Sequence, residues 1–197
     1  HDTPRLLTDF YNPNRYKFHA TINDEPLYKT GKPDKITYRR LKLYLVHLFT
    51  TIGAPQIWNG EEMGMWGADD PYCRKPLWWK EFNFHPENRN NILPLKAVYD
   101  PVKFDNNQFE FYKKLIAIRN VNPVLADGEL EFVLTKNKTL AYKRFDRETE
   151  ILVFFNLENT KQNFSLSGQY VDLLTGKKVK NKLLLPSLSA TILKKTN

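Results

Sequence analysis

The sequence has one cysteine, eight glycines and no apolar run near the ~18 residues that a membrane-crossing helix needs. Each shortage excludes something. A lone Cys73 cannot pair within the chain, so this is not a disulfide scaffold, and with no activating neighbour it reads as an inert thiol. The absent apolar run excludes a helical membrane span. No glycine-rich phosphate loop and no nucleophile elbow occurs. His19, His47 and His85 have no metal-ligand spacing, and His47 reads as a core histidine. What remains is an ordinary globular composition of 197 residues, 41% hydrophobic and 26% charged, enough for one or two domains. No initiator methionine or leader is visible, so any targeting segment is expected upstream and the compartment is not legible.

The charge is +8, from 30 Lys and Arg against 22 Asp and Glu. Nucleic-acid binders gather such an excess beside a recognisable reading element, and none is present. The excess is scattered over Lys136, Lys138, Lys143, Arg144 and the group Lys177, Lys178, Lys180 and Lys182. The last group reads as lysines on an edge strand, where they discourage edge-to-edge pairing. Solvated surface, not a nucleic-acid patch, is the expectation.

Two helices stand out in the first two thirds. Asp34 is a candidate N-cap for 36–52, with Tyr38, Leu41, Leu45, Leu48 and Ile52 on one face and Gly53 closing the helix. Ala54-Pro55-Gln56-Ile57-Trp58 follows as a strand, an alternation typical of β/α architecture. The second helix is expected over 107–121 and ends at Asn122-Pro123. Before each helix lies a long irregular stretch, 9–33 and 59–105, of the kind that usually carries function. Past Asp127-Gly128 the pattern changes to strand-like segments at 130–135, 139–145, 151–155, 162–166, 169–174, 178–185 and 189–194. Seven short strands at this spacing predict an antiparallel β-sandwich.

Three motifs carry the chemistry. They are His1-Asp2-Thr3-Pro4-Arg5, then Gly53-Ala54-Pro55-Gln56-Ile57-Trp58-Asn59-Gly60-Glu61-Glu62, then Asp70-Pro71-Tyr72-Cys73-Arg74-Lys75-Pro76. In this order and spacing the chain resembles the C-terminal part of the alpha-amylase superfamily of glycoside hydrolases, in particular its neopullulanase and cyclomaltodextrinase members. One departure is Trp58-Asn59-Gly60, where the family commonly has Tyr-Tyr-Gly. The resemblance implies an α+β chain made of a C-terminal fragment of a (β/α)₈ TIM barrel and a β-sandwich. Residues 1–127 would hold the end of strand 7, helix 7, strand 8 and helix 8 with long loops; residues 128–197 would form the all-β domain.

The resemblance also implies roles. Retaining hydrolysis of an α-glucosidic bond needs a nucleophile and an acid/base about 5 Å apart, and an oxocarbenium-like transition state gains from a further carboxylate on the ring hydroxyls. Asp2 is implied as that further carboxylate and His1 as a sugar-holding donor beside it. The nucleophile Asp and acid/base Glu of the family lie upstream of this motif, so the chain alone is expected to be inactive. Asp70 and Arg74 border the substrate cleft, either touching sugar or fixing the loop as an Arg–Asp pair. Trp66 is the candidate sugar-stacking ring, whereas Trp58 is expected to be packed. Glu62 is read as architectural. No cofactor is implied; calcium at Asp69 and Asp70 is conceivable but lacks assignable ligands. The expected partner is an α-glucan or maltooligosaccharide, with self-association from the incomplete barrel. Two other outcomes fit the same residues: glucosyl transfer or isomerisation within the superfamily, and a non-catalytic carbohydrate-binding module built on aromatics of 129–197.

Overall fold

The computed structural model describes residues 3–15, 27–89 and 98–196. Four helices and eight strands follow in the order α1 (Leu6–Tyr11), α2 (Lys35–Thr50), β1 (Glu87–Asn88), β2 (Tyr99–Asp100), α3 (Asn106–Asn120), α4 (Val124–Asp127), β3 (Glu129–Lys136), β4 (Thr139–Phe145), β5 (Glu150–Asn156), β6 (Gln162–Asp172), β7 (Lys178–Leu185) and β8 (Ser189–Lys195). The chain forms two compact units, residues 1–41 with 56–111 and residues 42–55 with 112–197. The division falls inside α2 and α3, whereas the sequence reading divides the chain at 127/128. Among the described residues no helix is long and apolar enough to cross a membrane.

Both long helices begin where a carboxylate can cap them. The Asp34 carboxylate accepts from the Thr37 N–H at 2.8 Å and the Thr37 hydroxyl at 2.9 Å, which holds it below the usual carboxylate range. Asp105 accepts from the Gln108 N–H at 3.1 Å at the start of α3. The α2 face is less uniform than its periodicity suggests: Leu41 and Leu45 are buried but Ile52, past the helix end, is exposed. Segment 54–58 has no ladder partner among the described residues, so the expected strand does not form there. Strand-like residues alone do not make a strand; a neighbour must supply the hydrogen bonds.

In the second unit, six strands form one antiparallel sheet in the order β3-β4-β5-β8-β6-β7. Segments 162–166 and 169–174, expected as two strands, are largely one: β6 pairs with β7 on both sides of an irregularity between Ser165 and Gln169, with Gly168 at φ 125°. Such a bulge kinks a strand without ending it. The sheet curls over itself. Phe154 of β5 packs on Phe164 of β6 with ring centroids 5.1 Å apart, and the Asn156 side chain donates to the carbonyls of Leu185 and Pro186. The enclosed core is Ala141, Phe154, Leu166, Tyr170, Leu183, Leu185 and Leu193. The opposite face of the sheet meets α2: Tyr142 shares a 2.6 Å hydrogen bond with the Thr50 hydroxyl, and the His47 ring stands edge-on to Tyr142 and Phe155. Burial of both faces explains why β5 reads Ile151-Leu152-Val153-Phe154-Phe155 without alternation. His47, expected in the core, is itself exposed.

β7 lies at a sheet edge and carries Lys178, Lys180 and Lys182, as the lysine spacing suggests. At the other edge, β3 leaves Phe132 59% exposed. Of the other aromatics in 129–197, Tyr142, Phe154, Phe155 and Tyr170 are buried and Phe145 and Phe164 half-buried, which is not the exposed platform a sugar-binding module needs. Arg144, grouped with the solvated charges in the sequence, is fully buried instead.

Candidate functional site

Among the described residues, the first unit is organised around Arg5, three residues after Asp2. His1 and Asp2 themselves lie outside the described residues. The Arg5 guanidinium donates to the carbonyls of Cys73 and Asn59, both at 3.0 Å, stacks 4.2 Å above the Trp58 ring, and faces Glu61 at 3.6 Å. The Arg5 backbone N–H adds a bond to Gly67, whose own N–H donates to the Thr8 hydroxyl. One buried side chain thus fastens the segment that follows His1-Asp2 to the turn 58–61 and to the Asp70–Arg74 loop. Gly60 is required at this turn: its φ is 96°, and a Cβ there would press on Met65 and Arg5.

Glu61 and Glu62 sit on that turn and diverge. Glu62 accepts from the Gly60 N–H at 2.9 Å, an architectural bond. Glu61 is fully buried; its Oε1 faces Arg5 and the Leu6 N–H, and its Oε2 has no hydrogen-bond partner. Burial outweighs the attraction of Arg5 and pushes the Glu61 carboxyl up to about 8. The sign of the pH dependence follows. Between the unfolded value near 4.3 and the folded one, the native chain holds a proton that the unfolded chain has released, so this contribution to stability is complete in acid and is lost as pH rises toward 8. Glu61→Gln is expected to remove that slope. Melting temperatures of both forms from pH 4.5 to 8.5 check it, and a constant gap between them would sink the assignment.

Asp70 and Arg74 meet at 2.8 Å with their side chains 42% and 48% exposed. Half-exposed ion pairs contribute about 0–1 kcal/mol. The pair is therefore a weak staple that solvent reaches from both residues. Trp66 is 2% exposed, packed edge-on against Trp78 with centroids 4.4 Å apart. It does not present the open ring expected of a sugar platform, because it is buried against Trp78 with the Lys75 ammonium 5.9 Å from its ring; the exposed indole of this stretch is Trp79, at 45%. Trp58 is half-buried under Arg5. Cys73 is buried, which raises its thiol pKa. Among the described residues no group of three or more His, Cys, Asp or Glu is placed to hold a metal ion.

Beside this network lies an ion pair that sequence spacing does not announce. Lys75 meets Glu87 at 2.6 Å, and Thr30, Ala68, Tyr72 and Asn88 complete a small cavity of about 150 Å³ around it. Asp100 accepts two bonds from Arg89 and one from the Lys32 N–H, which hold its carboxyl low despite burial.

No family model matches the chain. It is 32% identical over 171 residues to a maltogenic alpha-amylase of Bacillus acidopullulyticus, covering 85% of this chain and 22% of the relative. It is 34% identical over 161 residues to a cyclomaltodextrinase of Thermoanaerobacter pseudethanolicus, covering 79% and 24%. The chain is related to the C-terminal region of alpha-amylase-family glycosidases. It spans about a quarter of the length of these curated relatives. An Anoxybacillus alpha-amylase structure shares the fold with a TM-score of 0.64 at 22% identity, covering 81% of this chain and 33% of that one. Sequence reasoning has Arg5 only as part of the first motif and misses its role, because its partners are main-chain carbonyls, which no spacing of side chains reveals.

Proposed function

We propose that residues 1–127 form the last part of a (β/α)₈ catalytic barrel and residues 128–197 an all-β domain, in a retaining glycoside hydrolase acting on the α-glucosidic bonds of starch, maltooligosaccharides or related α-glucans. Asp2 hydrogen-bonds the ring hydroxyls of the sugar as it flattens toward the oxocarbenium-like transition state, and His1 holds the same sugar. Asp70 and Arg74 border the cleft. The nucleophile and the acid/base come from polypeptide outside these residues, and segment 54–58, which carries exposed Ile57 and has no ladder partner among the described residues, is the edge that further barrel strands cover. Left uncovered, that edge promotes self-association of the isolated chain.

The observation that carries this reading is the Arg5 anchor. It ties the segment after His1-Asp2 to the carbonyls of Asn59 and Cys73, and so to the loop bearing Asp70 and Arg74. Two motifs 65 or more residues apart in sequence therefore border one place. Glu62 is engaged by the Gly60 N–H of its own turn and Glu61 by Arg5 and the Leu6 N–H, so the two do not converge as a catalytic pair.

The test uses maltoheptaose. This chain alone is expected to give no turnover, and the parent enzyme to cleave with retention at the anomeric carbon. In the parent, Asp2→Asn is expected to lower kcat by roughly a hundredfold, because hydrogen bonds that strengthen in the transition state supply several kcal/mol. Turnover by the isolated chain that is lost on Asp2→Asn would overturn the division of labour, and full activity of the parent variant would overturn the role of Asp2.

A further inference from the structure

The half-exposed pair of Arg74 with Asp70 is too weak to decide by itself where the Arg74 guanidinium points. The main chain of Arg74 is nevertheless held on both sides. The residue before it, Cys73, is buried and its carbonyl accepts from Arg5. The residue after it, Lys75, turns inward with its side chain only 15% exposed. Its ammonium lies 5.9 and 5.8 Å from the Trp66 and Trp78 ring centroids and donates to Glu87 at 2.6 Å. We propose that Lys75 and Glu87 are positioning residues that set the direction of Arg74, a role that rests on the reading above in which Asp70 and Arg74 border the cleft.

The far end of this strut is stiff. Glu87 lies in β1, which pairs antiparallel with β2 and sets Glu87 opposite Asp100. Arg89 binds Asp100 through bonds of 3.0 and 2.6 Å, and Asp100 also accepts from the Lys32 N–H at 3.0 Å. Glu87 therefore stands on a braced strand pair. An ammonium is a point charge without a preferred plane, but one carboxylate and two ring faces together fix its place. The cavity beside the pair, about 150 Å³, is smaller than the ~300 Å³ at which ligand pockets begin, so Lys75 serves the loop and not a ligand of its own. With Cys73 and Lys75 both turned inward, Arg74 between them faces solvent. A group at the cleft edge holds substrate equally well before and during reaction. Its displacement therefore raises KM and spares kcat, the opposite of the effect expected at Asp2.

Lys75→Met removes the ammonium and keeps an unbranched side chain. Glu87 is 31% exposed and stays solvated without its partner, so the variant is expected to fold. In this chain, exchange of the Arg74 Nε–H with water, followed by NMR, is expected to quicken roughly tenfold in Lys75→Met as local opening becomes easier, with the Arg5 Nε–H unchanged. Glu87→Gln is expected to act in the same direction, and Lys75→Arg to recover most of the protection. In the parent enzyme, Lys75→Met is expected to raise KM for maltoheptaose roughly tenfold and to move kcat by less than about twofold. Unchanged Arg74 exchange in Lys75→Met and Glu87→Gln, equal quickening at Arg5, no recovery in Lys75→Arg, or a fall in kcat with KM unmoved would each overturn the positioning role. Quickened Arg74 exchange in a parent that does not cleave maltoheptaose would support the coupling of Lys75 to Arg74 and overturn the reading of function instead.

Discussion

Arg144→Ala is expected to destabilise the second unit by about 3–5 kcal/mol, since it would leave several buried carbonyls unsatisfied at ~1–3 kcal/mol each and open space in a packed core. Arg144 is fully buried and makes no ion pair among the described residues. Its guanidinium donates to four carbonyls: Thr50 at 2.8 Å, Leu125 at 2.6 Å, Gly128 at 2.7 Å and Glu129 at 3.2 Å. Thr50 is the last residue of α2, and Leu125 and Gly128 belong to α4 and its cap. The ends of helices expose carbonyls that want donors, and a cation there is favoured by the helix dipole as well. Arg119 does the same for the neighbouring carbonyls of Phe49, Thr51 and Gly53. The sheet and the helix ends are therefore joined through arginine hydrogen bonds to main-chain carbonyls, with Asp127 near enough to attract both guanidiniums. Urea unfolding followed by far-UV circular dichroism reads the loss. Arg144→Met, which keeps the stem but not the donors, is expected to lose nearly as much, and Arg144→Lys to recover part. An Arg144→Met midpoint equal to that of the unaltered chain would refute the role of the carbonyls.

The same residue explains where sequence reading ends. Thr139–Phe145 is legible as a strand because its pattern is local, but a buried arginine satisfied by main-chain oxygens looks like any surface arginine in sequence. Helix positions were legible for a similar reason: Asp34 stands at a cap and apolar residues recur at helical spacing, whereas the Asp105 cap of α3 shows only in the fold. The six-residue α1 is too short to show a period, and the expected irregular stretch 9–33 overlaps its end. The break at Ser167-Gly168 looks like a turn until the β7 partner shows the ladder resuming beyond it. Trp66 failed as an exposed platform because exposure depends on Trp78 and Lys75, which only the folded loop brings to it. Asp2 and His1 were named from family resemblance, and nothing in their own neighbourhood of sequence distinguishes them from a surface pair.

In the first unit, Arg5→Ala is expected to cost about 3–5 kcal/mol, since it leaves carbonyl acceptors unsatisfied at ~1–3 kcal/mol each and removes a buried, packed side chain. The variant strands the buried Glu61 and leaves the carbonyls of Cys73 and Asn59 without their donor. The cost has a predicted pH dependence. In acid Glu61 is protonated, so the missing countercharge matters little; toward pH 8 the variant must either bury a bare carboxylate or spend free energy keeping it protonated. The loss is therefore larger at pH 8 than at pH 5, and Glu61→Gln in the same chain should restore part of it at pH 8 and little at pH 5. All four tryptophans lie in this unit, and Trp58 stacks directly on the guanidinium, so indole emission during unfolding reports on it selectively. A destabilisation equal at both pH values, with no recovery in the double variant, would mean that Arg5 acts only as a carbonyl donor and that its pairing with Glu61 is incidental. If the coupling is found, the anchor by which Arg5 fastens its own segment to the Asp70–Arg74 loop is itself pH-sensitive.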